Sequence, residues 1–204
     1  MHKSLLKNNH TNLLMLYFFL RSIPLTLTMK RITLLLIMFI LYFIGCSSVS
    51  PPAIIDDYRC YPDAVYLFRH AEKQKIKGEK NPELTKKGFL RANALADSLA
   101  LIQNGVIFSS EYARTQQTAS FLAEKWEVDI NIHTASDPEG QIEKVMDLCN
   151  KTILISGHSN TIPALIKLFG FKEEVVIDDD QYGDLFMFTW PNGSLQLSLK
   201  RIGE

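Results

Sequence analysis

Arg69-His70 closes the apolar run Ala64-Val65-Tyr66-Leu67-Phe68, and His158 follows the run Thr152-Ile153-Leu154-Ile155-Ser156 after one glycine, Gly157. Each run has the length and composition of a buried strand. In open α/β sheets the crevice outside the carboxyl ends of the strands is where ligands bind. Arg114 opens the helical stretch after a third apolar run, Val106-Ile107-Phe108, in the order Ser109-Ser110-Glu111-Tyr112-Ala113-Arg114. Three strand ends would therefore bring two guanidinium groups and two imidazoles to one crevice. Guanidinium forks match phosphate oxygens bidentately. A neutral imidazole among them can attack phosphorus. The clustered cations favour the neutral ring and stabilise charge on the transferring group. A lone Arg-His pair at a strand end is more often simply solvated. Residues 47–204, however, hold only three histidines, His70, His133 and His158, and two of them occupy equivalent strand ends. Coincidence is the poorer account.

The elements that must position these groups alternate strand and helix. The pattern predicts a three-layer α/β/α fold with a mainly parallel sheet and a C-terminal antiparallel hairpin. A strand at 64–68 is followed by a Lys-rich loop at 73–82. Thr85 is placed to cap a helix whose Phe89, Ala92, Leu95, Ala96, Leu99 and Ile102 recur at helical spacing, with Gly105 just past its end. A strand at 106–108, a helix at 113–126 and a half-buried strand at 128–132 come next. Asp137-Pro138 starts a helix running to about Cys149, as cap and first-turn proline. A strand at 152–156 leads to a short helix at 161–169 closed by Gly170. Strands at 184–190 and 194–200 flank Pro191-Asn192-Gly193, a hairpin signal. Asp178-Asp179-Asp180 lacks the glycine and closing glutamate of a calcium loop and reads as a solvated acidic turn.

The first 46 residues read as targeting. They contain no acidic residue and five basic ones, Lys3, Lys7, Arg21, Lys30 and Arg31. Subtracting these from 22 basic and 22 acidic residues leaves 17 and 22, a net charge of −5 on residues 47–204. A mildly acidic body gives no support for nucleic-acid binding, which wants a basic patch. Met29-Lys30-Arg31 precedes an apolar run from Ile32 to Ile44, and Gly45-Cys46-Ser47 follows. This resembles a bacterial lipoprotein signal, with Phe43 where leucine is usual, and implies lipid on Cys46. The alternatives are an uncleaved anchor and plain cleaved secretion. Met29 is the expected true start. Residues 47–60 then serve as a tether and 61–204 as the folded domain, held outside the cytoplasm at a membrane. Cys60 lies ten residues before His70 and Cys149 nine before His158. If the two histidine strands are parallel neighbours, both cysteines fall near their starts, so a Cys60–Cys149 disulfide is expected in an oxidising compartment.

Several motifs occur in order: Leu67-Phe68-Arg69-His70-Ala71-Glu72-Lys73; Leu84-Thr85-Lys86-Lys87-Gly88; Ser109-Ser110 with Arg114-Thr115 and Gln117-Thr118-Ala119; and Gly157-His158. Together they resemble the histidine phosphatase superfamily, with its phosphoglycerate-mutase-like fold, over about residues 64–170. The resemblance implies that His70 is the nucleophile that becomes phosphohistidine. It implies that Arg69 and Arg114 clamp the phosphate, that His158 completes the pocket, and that water hydrolyses the phosphoenzyme. Asn160 is a further substrate-binding candidate. No metal or other cofactor is implied, and the sequence has none of the spaced Cys/His clusters of a zinc site.

The acid that protonates the leaving group stays open. Mutase-like relatives take it from just after the third strand, which points to Asp137 or Glu139. Relatives with His-Asp at the second motif use that aspartate, but Ser159-Asn160 stands here. Glu72 is the third candidate. Without a well-placed acid, good leaving groups such as aryl phosphates or phosphoramidates are favoured. The insert between His70 and the first helix, about 14 residues, is too short for the long loops with which a mutase excludes water. The chain is most similar to small single-domain phosphatases, including phosphohistidine phosphatases. The expected activity is phosphomonoester hydrolysis on a small phosphorylated substrate or a phosphoprotein. The alternatives are a phosphate-pocket binding module without turnover and a phosphoglycerate-mutase-type phosphotransferase.

Overall fold

The computed structural model describes residues 60–203. These lie within the compact unit Pro52–Glu204. The targeting segment, the Met29 start, Cys46 and most of the tether lie outside the described residues. Six strands form one sheet: β1 Ala64–Arg69, β2 Gly105–Ser109, β3 Ile130–Ile132, β4 Thr152–Gly157, β5 Asp184–Thr189 and β6 Gln196–Arg201. Four helices accompany them: α1 Lys86–Leu99, α2 Ala113–Trp126, α3 Pro138–Met146 and α4 Thr161–Leu168. The strand order is β3-β2-β4-β1-β5-β6. The first four strands run parallel, and β5 and β6 add an antiparallel hairpin at one edge.

Side-chain alternation along the central strands builds a core on each face. Val65 and Leu67 of β1 join Ile142, Val145 and Met146 of α3 and Ile162, Leu165 and Ile166 of α4. Phe68 of β1 joins Leu95, Ala96 and Leu99 of α1 and Ala119 and Leu122 of α2. The architecture is therefore three layers, helix pairs sandwiching the sheet. All six residues of β4 are buried, as expected of a strand covered on both faces.

Local chemistry sets the helix starts. Thr85 Oγ1 accepts from Gly88 N at 3.1 Å and Asp137 Oδ1 from Gly140 N at 3.1 Å. Gly88 brings α1 against the backbone of Glu72, where a Cβ would collide. The segment after β1 is thereby pinned to α1, with Thr85 N donating to Glu72 O at 2.8 Å.

Three boundaries differ from the sequence reading. Gly105 is not the residue past the end of α1; it opens β2, and the left-handed turn falls on Asn104 at φ 58°. Its bare Cα is needed because the Trp126 ring packs there. β3 is three residues at the sheet edge, shorter than the 128–132 expected; Val128 and Ile130 pack against the core, while Ile132 is half exposed. α3 stops at Met146, before Leu148 and Cys149. Cys60 and Cys149 are joined, with Cα atoms 5.7 Å apart, across 89 residues of sequence. Closing a loop of that size restricts the denatured chain by about 4–5 kcal/mol in the chain-entropy picture.

Candidate active site

β1, β2 and β4 end level, and this alignment assembles the site. Arg69 pairs with Gly157 in the parallel register. His70 N donates to Gly157 O at 2.9 Å, and Ser110 N to Ser156 O at 3.3 Å. The chain leaving each strand is fixed by a threonine. Ala71 N donates to Thr118 Oγ1 at 2.9 Å and His158 N to Thr161 Oγ1 at 2.8 Å. The His70 and His158 rings end 5.4 Å apart between centroids, inclined at 66°. Arg69, His70 and His158 are only 4, 3 and 7 % exposed.

His70 Nδ1 lies 2.8 Å from Ala71 O. A carbonyl only accepts, so the single proton of a neutral ring sits on Nδ1 and the Nε2 lone pair is left free. Burial is the largest influence on the ring's pKa, and the fields of His158, Arg69 and Arg114 add to it. Against the opposing bond to Ala71 they bring it from 6.5 to about 3. Burial likewise lowers His158 to about 4, helped by Arg114, Arg69 and Lys73 and opposed by Glu111. His158 Nε2 lies 2.8 Å from Ser110 Oγ, which is 2.7 Å from Thr115 Oγ1.

The arginines are held differently. Arg69 Nη1 donates to Asp178 O at 2.6 Å and Gln181 O at 2.8 Å, and Nη2 to Asp179 O at 2.9 Å. Its guanidinium also lies 4.3 Å from the centre of the Tyr182 ring. Arg114 stacks on Tyr112 at the same 4.3 Å. Burial pulls the Arg114 pKa down, with Arg69 in the same direction. Arg69 Nε, Arg114 Nε and Arg114 Nη1 are buried without a hydrogen-bond partner among the described residues. Buried donors of this kind are costly unless something accepts from them. An anion seated between the imidazoles and the guanidiniums would supply the acceptors.

The structure thus brings together Arg69, His70, Arg114 and His158. Asn160 is exposed at the start of α4 and makes no side-chain capping bond. Glu72 lies in α1's company, 2.9 Å from Arg91 Nη2 and 3.3 Å from Lys87 Nζ. Asp137 caps α3 and lies 3.4 Å from His133 Nε2. Glu139 is exposed in the first turn of α3. Tyr182 and the carbonyls of Asp178, Asp179 and Gln181 were not foreseeable as site parts. The acidic turn does keep its carboxylates in solvent, while its backbone oxygens anchor Arg69. Among the described residues no cluster of His, Cys, Asp or Glu could hold a metal ion. No described helix is long and apolar enough to cross a membrane.

Both imidazoles are expected to stay neutral well below the usual histidine range. In the unfolded chain each protonates near 6.5, so the unfolded state binds more protons as pH falls through that value. Stability is therefore complete above about pH 6.5 and declines as pH drops toward 4 and then 3, at about 1.4 kcal/mol per unit of lowered pKa. Imidazole NMR titration checks this: the His70 and His158 signals should not move between pH 8 and about pH 5. Midpoints near 6.5 would contradict the burial argument.

Residues 65–136 match the histidine phosphatase superfamily (branch 1). No curated protein is similar enough in sequence to count as a match. Among solved structures, the chain is similar to a mycobacterial glucosyl-3-phosphoglycerate phosphatase, at 14 % identity and TM-score 0.52, over 68 % of this chain and 97 % of that one. It is similar to YhfR of Bacillus stearothermophilus at 16 % identity and TM-score 0.53, over 67 % and 96 %. It is also similar to SixA of Agrobacterium tumefaciens, a candidate phosphohistidine phosphatase, at 19 % identity and TM-score 0.51, over 71 % and 98 %. At these identities the likeness is one of fold.

Proposed function

We propose that this chain, whose residues 65–136 match the histidine phosphatase superfamily, hydrolyses phosphate monoesters through a phosphohistidine formed on His70 Nε2. The observation that carries the reading is three buried, unpartnered guanidinium nitrogens beside two imidazoles held neutral. Two phosphate oxygens would take the arginine donors, and the phosphorus would face the free Nε2 lone pair. Attack forms the N–P bond and breaks the P–O bond to the leaving group, whose oxygen keeps the electron pair. The guanidiniums stabilise charge on the transferring oxygens. Water then attacks phosphorus, the N–P bond breaks, and its electrons return to Nε2. Inorganic phosphate departs.

The test is hydrolysis of p-nitrophenyl phosphate by the purified protein against His70→Ala. Equal hydrolysis by both would remove the reading. A pocket that binds phosphate but never turns over would show affinity without release.

We also propose that this body works outside the cytoplasm, tethered by lipid on Cys46. The apolar run ending in Gly45-Cys46 supports this, and a Cys60–Cys149 pair suits an oxidising compartment. The mass of the mature N-terminus decides it: a lipid-bearing Cys46 is expected, and an intact Met1 would contradict it.

A further inference from the structure

Glu72 and Asp137 are engaged elsewhere and Glu139 is exposed; Glu111 is exposed as well, but both of its chain neighbours touch the His158 ring. Glu111 follows Ser110, whose hydroxyl contacts His158 Nε2 at 2.8 Å. It precedes Tyr112, whose ring meets the His158 ring edge-on at 5.2 Å and stacks on Arg114. Its own Oε2 accepts from Ala135 N at 2.9 Å. Ala135 lies in the segment between β3 and α3. From sequence, that segment was to furnish the acid itself. Here it furnishes a backbone donor, and the carboxylate is delivered to it from the turn between β2 and α2. Glu111 also acts on the pocket electrostatically, favouring the charged form of His158 and of Arg114.

We propose that Glu111 is the catalytic carboxylate that moves the proton in both half-reactions. The proposal rests on the phosphohistidine reading. In the first half-reaction the P–O bond breaks as the N–P bond forms, and protonated Glu111 gives its proton to the departing oxygen. In the second, a water O–H proton passes to ionised Glu111 as the water oxygen bonds to phosphorus and the N–P bond breaks. One proton leaves the carboxyl and one returns, so the cycle closes.

The state of the carboxyl sets a substrate preference. Burial by itself would raise the Glu111 pKa. Hydrogen bonding from its own amide and from Ala135 N, and the field of His158, overcome this and hold it below the ordinary glutamate value. At neutral pH Glu111 is mostly ionised. It is ready to take a proton from water but seldom ready to give one. Esters whose oxygen leaves without a proton, such as phenolic phosphates, are therefore favoured over alkyl phosphates.

Rapid-mixing hydrolysis of p-nitrophenyl phosphate tests this, comparing wild type, Glu111→Gln and His70→Ala. Departure of p-nitrophenolate needs no proton, so Glu111→Gln should keep a burst of about one equivalent while its steady-state rate falls about 10²-fold or more. Phosphorylated protein should accumulate in that variant. In Glu111→Ala, added formate should restore turnover by supplying the missing carboxylate, and it should leave wild type unchanged. A Glu111→Gln steady-state rate within about threefold of wild type would overturn the proposal. So would loss of the burst together with turnover, or the absence of formate rescue. Failure of wild type itself to form phosphoenzyme is a different result and counts against the His70 reading instead.

Discussion

His70→Ala is expected to lower kcat/KM for p-nitrophenyl phosphate by at least about 10³-fold, an increase of about 4 kcal/mol in the barrier. The size follows from what the substitution removes. His70 Nε2 carries a lone pair that the local hydrogen bonding leaves both unprotonated and unshared, because Nδ1 is committed to Ala71 O. Without it the two-step route closes, and direct attack by water must suffice. The arginines stay in place, since neither depends on the imidazole for a hydrogen bond. Competitive inhibition by inorganic phosphate should therefore survive. Steady-state kinetics with a phosphate inhibition series reads both quantities. Activity within about tenfold of wild type would contradict the assignment of the nucleophile.

Arg114→Ala carries the second large effect. Two of the three unpartnered buried guanidinium nitrogens among the described residues belong to Arg114, and charge-assisted bonds to a phosphate are worth about 1.5–3 kcal/mol each. A loss of about 10²–10³-fold in kcat/KM is expected, mostly through weaker capture of the phosphate. Stability should change little, because among the described residues the Arg114 guanidinium anchors no carbonyl and lies against the Tyr112 ring. Arg69 supplies the contrast. Its removal would also free the carbonyls of Asp178, Asp179 and Gln181, so it is expected to destabilise the protein as well as weaken binding. Arg114→Lys should rescue poorly, because an ammonium cannot reproduce the planar fork. Measured kcat/KM and thermal melts for the three variants separate these effects. An Arg114→Ala enzyme with unaltered kcat/KM would contradict the clamp.

Much of this arrangement was legible because it follows from local pattern. Apolar runs ending in Arg69-His70 and Gly157-His158 announce strands with chemistry at their ends, and β1 and β4 are indeed parallel neighbours in level register. Thr85 and Asp137-Pro138 mark helix starts through side-chain caps that need only three residues of context. Gly105 misled because glycine serves two ends. After a helix it suggests a left-handed turn, but here Asn104 takes that conformation and the glycine makes room for Trp126. The half-buried alternation holds for Val128 and Ile130, which pack against the core, but not for Ile132, which no layer covers at the sheet edge.

The site was legible where one motif holds both residue and position, and opaque where two distant segments meet. Tyr182 and the 178–181 carbonyls reach Arg69 across more than 100 residues, and backbone oxygens carry no sequence signature. Glu111 was visible within the Ser109-Ser110 motif, yet nothing in its neighbours announces the bond to Ala135 N. Only the turn of the chain after β2 and the return of the chain after β3 place them together.

The central claim is a phosphoryl group on His70 during turnover. Quenching a reaction with p-nitrophenyl phosphate in alkali, which preserves phosphohistidine, and mapping the adduct by peptide mass spectrometry tests it most directly. The account predicts a single acid-labile phosphoryl group on the peptide containing His70, absent from His70→Ala. Turnover with no phosphorylated protein, or with the phosphoryl group on another residue, would contradict it.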